Sequence, residues 1–314
     1  LARQVAEALQ MSQTTEVWEF GAGSGALAEQ VLDALGLRVT RYTIVDLSGT
    51  LRERQRTRLA AHAGKVHWAS ELPPQMRGVV LGNEVLDAMP VKLLARLNDI
   101  WHERGVALHE GRFTYADSPT DLRPPLEVAG SHDYVTEIHP QAEGFIRTLA
   151  DRLEAGAVFL LDYGFPEHEY YHPQRSMGTV MCHRAHLLDA DPLADVGEKD
   201  ITAHVNFTGI ALAGQEAGLD VLGYTSQGRF LLNCGLLDGL ENARLPERSM
   251  AQKLVNEHEM GELFKVIAFG AKGQPVWTPL GFAAGGRVHT LYLADERVIN
   301  NSTPRAGPYT SRCC

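Results

Sequence analysis

Cysteine is scarce in this chain: Cys182, Cys234, Cys313 and Cys314 are the four in 314 residues, with no CxxC pair and no grouping with histidine. That argues against a zinc motif and against a disulfide framework, and it suits a reducing compartment. Long apolar runs are missing as well. None approaches the roughly 18–20 residues of a membrane-spanning helix, and the opening "LARQVAEALQ" lacks the apolar centre of a secretory signal. Positive charge is in deficit, with 29 Lys+Arg against 39 Asp+Glu and a net charge of −10, so a nucleic-acid backbone would be repelled. The densest basic run, "RERQRTRL" at 52–59, recurs at helical spacing and reads as a solvated helix face. The initiating methionine is also absent. Leu1 falls inside a helical pattern, from which an upstream segment is expected to be missing.

What is present is a β-α alternation, with 44% hydrophobic residues to build a core. Ala2 to Met11 reads as a helix, "TEVWEF" as a strand, Ala26 to Leu35 as a helix, and "RVTRYTIVDL" as a strand entering a helix that ends near His62. "KVHW" and "MRGVVLGNE" continue as short strands. The expected fold is therefore α/β and Rossmann-like, a mostly parallel sheet with helices on both faces. Residues 91–130 interrupt it with short β-like runs and a proline-rich connection, and are expected to form a small antiparallel insertion. The alternation resumes over 131–272, so 1–90 and 131–272 together make the expected core. Residues 273–314 have no clear periodicity and are left as a tail without assigned function.

The stretch "VWEFGAGSGALAEQVL" at 17–32 sets a glycine-rich turn between a strand and a helix. Such a turn lets backbone approach a ligand closely and aims helix N–H groups at its polar end. Gly21, Gly23 and Ala26 satisfy the loose pattern G-x-G-x-x-A, so the spacing alone admits NAD. Glu19 and Gly25 extend it to Glu-x-Gly-x-Gly-x-Gly. An acid there would repel a pyrophosphate but welcome a cationic amino acid moiety. Asp46, ending the second strand, is placed to accept ribose hydroxyls, a role common to NAD and S-adenosylmethionine sites, or to cap the next helix.

A second constellation is "LGNEVLDAMP" at 81–90, in which a buried strand delivers Asn83 and Glu84 to its carboxyl end and Asp87 follows on the turn. Two carboxylates and an amide above a cofactor crevice suit a cationic acceptor such as arginine, whose pKa above about 12 keeps it charged. The plainer reading gives Glu84 a structural ion pair and Asp87 a helix cap.

"EFGAGSGALAEQVL", "GNEVLDAMPV", "LLDYGF", "MGTVMCHRAH" and "DITAHVNFTGIA", in that order over residues 1–272, resemble the MidA family of S-adenosylmethionine-dependent methyltransferases, which includes the mitochondrial complex I assembly factor 7. The resemblance implies a seven-stranded class I methyltransferase core, no metal, and a protein side-chain nitrogen as acceptor, most simply arginine, in a respiratory-complex subunit. It implies that Glu19, Gly21, Gly23, Gly25, Asp46 and Asn83 hold the cofactor. Asn83, Glu84 and Asp87 would carry catalysis at the acceptor, and Asp162, Tyr163, Gly164, Asp200 and His204 would bind substrate, with Thr202 and Asn206 in the same block. For Asp162 a strand-end hydrogen-bond acceptor, and for His204 a packed histidine, are equal alternatives; His183 and His186 read equally well as solvent-facing.

The sequence departs from the family pattern in lacking the N-terminal Phe-Tyr-Thr-like motif, in carrying Asp46 where glutamate is common, and in its tail. Two rivals stay open: an assembly protein with a regulatory or vestigial S-adenosylmethionine site, and an NAD-linked oxidoreductase. The insertion suits either a peptide groove or a homodimer contact. A bacterial cytoplasm is the expected location, with a mitochondrial matrix as the alternative.

Overall fold

A computed structural model describes residues 1–292 except 185, 186, 190 and 242, with 184, 187 and 188 described by backbone alone. Seven strands form the main sheet: β1 (Glu16–Phe20), β2 (Arg41–Val45), β3 (Val66–Ala69), β4 (Met76–Asn83), β5 (Leu153–Phe165), β6 (Asp220–Ser226) and β7 (Phe264–Gly270). Their order is 3-2-1-4-5-7-6, and an eighth, two-residue strand at Val205–Asn206 pairs beside β5. Pairing is parallel from β3 through β5, while β7 runs antiparallel to both of its neighbours.

The central strands carry apolar residues toward both faces because both faces are covered. Along β1, Val17 points into one buried layer and Trp18 and Phe20 into the other. The first layer is closed by α1 (Ala2–Met11), which buries Val5, Ala8 and Leu9, and by α2 (Ala26–Leu35), which buries Val31, Leu32 and Leu35. The opposite layer receives Ile146 and Leu149 of α3 (Pro140–Arg152) and Phe207 and Ile210 of α4 (Phe207–Glu216). Each full burial of such a side chain is worth about 1.5–3 kcal/mol, which is what holds the helices to the sheet.

The insertion is an antiparallel sheet of Arg112–Pro119, Ile100–His109, Lys92–Leu97 and Tyr134–Ile138, in that order. Its last strand pairs with Lys92–Leu97 and not with the main sheet, so the inserted sheet ends at Ile138, past the expected boundary at 130. A further three-stranded sheet, Leu187–Asp189, Met181–Arg184 and Asp200–Thr202, was not expected from the sequence.

The tail also needs correcting. Phe282 and Leu291 are buried, and the backbone N–H groups of Leu280 and Gly281 donate to Glu7 (2.8 Å) and Gln4 (2.7 Å) of α1. Its first twenty residues thus close the core. Its remainder, including Cys313 and Cys314, lies outside the described residues, as does His186.

Candidate functional site

Registration of the parallel strands brings several carboxyl ends to one rim. Phe20 stands beside Val45 on one side and Gly82 on the other, and Asn83 stands beside Leu161. The glycine turn leaves β1 there. Gly21, Gly23 and Gly25 all have positive φ, and Gly25 is the left-handed residue from which α2 starts. At Gly23, where φ is +53°, a Cβ would meet nothing within 4 Å, so the turn faces open space. That is a cradle for a ligand which a side chain would fill. Gly21 meets the second constellation directly: a Cβ there would lie 3.2 Å from Val85.

Glu19 is buried under this turn, where the Tyr42 hydroxyl donates to its Oε2 at 2.8 Å. Burial pushes its carboxyl up to about 7, against the pull of the Tyr42 bond. Asp46 directly follows β2. Its Oδ1 accepts from the Ser48 N–H (2.9 Å) and its Oδ2 from Gln55 Nε2 (2.8 Å). Arg52 donates to the Asp46 carbonyl (2.7 Å from Nε) and to that of Ala69 (3.1 Å). Asp46 is not itself the next helix's cap: the Ser48 hydroxyl caps Gly49–Arg58.

On the other side of β1, Glu84 has φ +52°, and the amide of Asn83 donates to its Oε1 at 3.2 Å. Asn83 thus orients Glu84. The backbone of the next three residues is pinned from below. Asp162 Oδ2 accepts from the N–H groups of Val85 (3.1 Å), Leu86 (2.9 Å) and Asp87 (3.2 Å), and Oδ1 from that of Tyr163 (3.0 Å). At 1% exposure Asp162 faces no substrate. Its place in the substrate set is corrected to that of the strand-end acceptor which shapes the turn. Gly164 is corrected likewise. A Cβ there would lie 2.1 Å from the Val205 carbonyl oxygen, so close strand pairing alone accounts for the glycine.

The remaining expected residues converge. Glu84, Asp87, Tyr163, Asp200 and His204 line a single cavity of about 530 Å³, with Thr202, Met181, His183, Leu263 and Phe264 completing its wall. The Tyr163 hydroxyl donates to Asp87 Oδ2 at 2.5 Å, while Asp87 Oδ1 is buried without a hydrogen-bond partner. Burial raises the carboxyls of Glu84 and Asp87, and the Asp200 charge adds to both. Among the described residues no lysine or arginine forms an ion pair with these three acids.

The His204 ring packs on Tyr163 and Phe165, and burial with the nearby Arg175 and Lys265 charges lowers it to about 4, so it is neutral at pH 7. Its packed surroundings and its place on the cavity wall coexist. Glu137, which sequence reasoning did not single out, anchors the segment beneath it. Buried in the inserted sheet, it accepts from the N–H groups of Thr179 (2.7 Å) and Val180 (3.1 Å) and from the Tyr170 hydroxyl (2.7 Å). Leu263 and Phe264 gave no signal beyond ordinary core periodicity.

Strand order, with the antiparallel β7 between β5 and β6, the glycine turn after β1 and the acid after β2 together define a class I methyltransferase fold. The comparisons give the family. A model described as "Putative S-adenosyl-L-methionine-dependent methyltransferase" matches residues 1–225, and the chain belongs to that family. A Burkholderia thailandensis protein crystallised with S-adenosyl-homocysteine is 48% identical with TM-score 0.88, over 92% of this chain and 79% of that one. A second structure from the same organism is 49% identical with TM-score 0.86, covering 92% and 82%. Among curated relatives, the Drosophila melanogaster mitochondrial "Protein arginine methyltransferase NDUFAF7 homolog" is 27% identical over 80% of this chain and 66% of its own length. The Xenopus laevis protein arginine methyltransferase NDUFAF7 is 25% identical over 80% and 65%. This chain therefore spans just under two thirds of the length of those curated relatives. Membership of the family favours S-adenosylmethionine over the NAD alternative.

Proposed function

We propose that this protein transfers a methyl group from S-adenosylmethionine to an arginine side chain of a protein. The observation that carries the reading is the gathering of Glu84, Asp87 and Asp200 on one cavity beside the glycine turn with no described cation paired to them. Acids assembled at a mutual electrostatic cost are complementary to a positive acceptor. The name of the curated relatives, protein arginine methyltransferase, supports the same substrate class.

The residues fit the cofactor. Gly23 offers an open backbone cradle, Gly25 opens a helix N-terminus, and Asp46 stands at the end of β2. When bound, S-adenosylmethionine supplies a methyl group on a sulfonium leaving group. The protein's own contribution is placement. Glu84, oriented by Asn83, and Asp87, fixed by Tyr163, would hold the guanidinium through charge-assisted bonds, and Asp87 Oδ1 has a free acceptor site for one of its N–H groups. Neutral His204 adds a wall without a competing positive charge.

A respiratory-complex subunit as the acceptor rests on the family resemblance alone. Identity of 48–49% to bacterial proteins, against 25–27% to mitochondrial ones, supports a bacterial over a mitochondrial setting. The test is incubation with tritiated S-adenosylmethionine and total protein from a strain deleted for this gene, followed by acid hydrolysis. Label recovered as methylarginine is the expected result; label in methyllysine, or none in protein, would overturn the acceptor class.

A further inference from the structure

We infer that Gln55 is a positioning residue of the cofactor site, locking the glycine turn and the ribose-side acid into one fixed relation. The inference rests on reading that turn as the S-adenosylmethionine site. Gln55 lies in the helix Gly49–Arg58, within the basic run expected to be a solvated face, yet it is 0% exposed. Its Nε2 donates to the Gly23 carbonyl (2.9 Å) and to Asp46 Oδ2 (2.8 Å), and its Oε1 accepts from the Trp68 indole N–H (2.9 Å). One amide therefore ties together the loops after β1 and β2 and the side chain of a β3 residue.

The chemistry demands an amide. Both amide protons are used, each on a separate ligand-facing loop, and only a primary amide offers two donors and an acceptor in one plane. A carboxylate would have nothing to donate and would face Asp46 at hydrogen-bond distance. An apolar side chain would leave the buried Asp46 oxygen and the partly buried Gly23 carbonyl and Trp68 N–H without these partners. The Asp46 carboxylate is held from both sides, by Ser48 N–H on Oδ1 and Gln55 on Oδ2, and each oxygen retains a second lone pair. A carboxylate so fixed can accept both hydroxyls of a vicinal diol, the chemical feature of a ribose. Gln55 does this without touching the ligand. The charged groups around it are Asp46, Arg52 on the Asp46 and Ala69 carbonyls, and Arg56 over the Trp68 ring at 5.3 Å.

The test is calorimetric titration of the full chain with S-adenosylhomocysteine at pH 7.5 and pH 5.5, comparing Gln55→Glu with wild type at the same pH. At pH 7.5 the variant should bind about tenfold more weakly. At pH 5.5 the gap should narrow, because one of the two facing carboxyls takes a proton and donates to the other. Trp68→Phe introduces no charge and removes the bond that orients the amide. It should cost about threefold at both pH values, and keeps the question answerable if Gln55→Glu does not fold. Unchanged affinity in Trp68→Phe, or a Gln55→Glu loss equal at both pH values, would overturn the inference while leaving the cofactor reading intact. Wild type that binds no S-adenosylhomocysteine would overturn the cofactor reading, and this inference with it.

Discussion

Asp46 has a hydrogen-bond partner on each carboxylate oxygen, whereas Asp87, on the other side of β1, has a side-chain partner on Oδ2 and none on the buried Oδ1. The contrast extends to their neighbours. Glu19 is engaged by Tyr42, while His204 Nδ1 is buried without a partner. A buried polar atom left unpaired costs about 1–3 kcal/mol, and a donor brought by a ligand would remove that cost at Asp87 Oδ1. The side proposed to hold the cofactor is pre-tied by the chain's own side chains and needs only lone pairs to spare. The side proposed to hold the acceptor keeps a buried carboxylate oxygen open and concentrates like charge around it. On that proposal, one side suits a ligand of fixed shape and the other a cation brought by a partner.

The sharpest way to break the cofactor side is Gly23→Val. No atom blocks a side chain there, but φ of +53° strains a β-branched residue by about 1–3 kcal/mol, and the side chain fills the open cradle. Affinity for S-adenosylhomocysteine measured by calorimetry should fall at least about a hundredfold with the fold retained, judged by circular dichroism. On the acceptor side the larger structural effect belongs to Asp162→Ala. Removing its carboxylate leaves the N–H groups of Val85, Leu86 and Asp87 unpaired, and unfolding free energy in a urea titration should drop by about 3 kcal/mol. An unchanged midpoint would show that the turn does not depend on Asp162.

How much of this was legible in the sequence follows from what each signal encodes. Apolar runs alternating with amphipathic ones gave the main strands, because burial on both faces writes itself as composition. Backbone motifs were legible too: the glycines of the turn do adopt positive φ. Side-chain direction was not. Asp162 and Tyr163 are adjacent in one motif, yet one points down to pin a turn and the other lines the cavity, as alternation along a strand dictates once the core face is known. Gln55 was hidden in a charged run, although Arg52, Gln55 and Leu59 share helical i, i+3, i+7 spacing that could have revealed an inward face. The tail's docking was not readable because Phe282 and Leu291 are isolated anchors in an aperiodic segment.

The smallest perturbation addresses the central claim most directly: Glu84→Gln, which removes one charge and keeps the side chain's size. Titration with S-adenosylhomocysteine and methyl transfer to acceptor protein would be measured on the same preparation. The account predicts affinity within about twofold of wild type and transfer lowered about tenfold or more, in line with the loss of one charge-assisted bond. Transfer at the wild-type rate would contradict it, because the acids of the cavity would then not be what holds the acceptor.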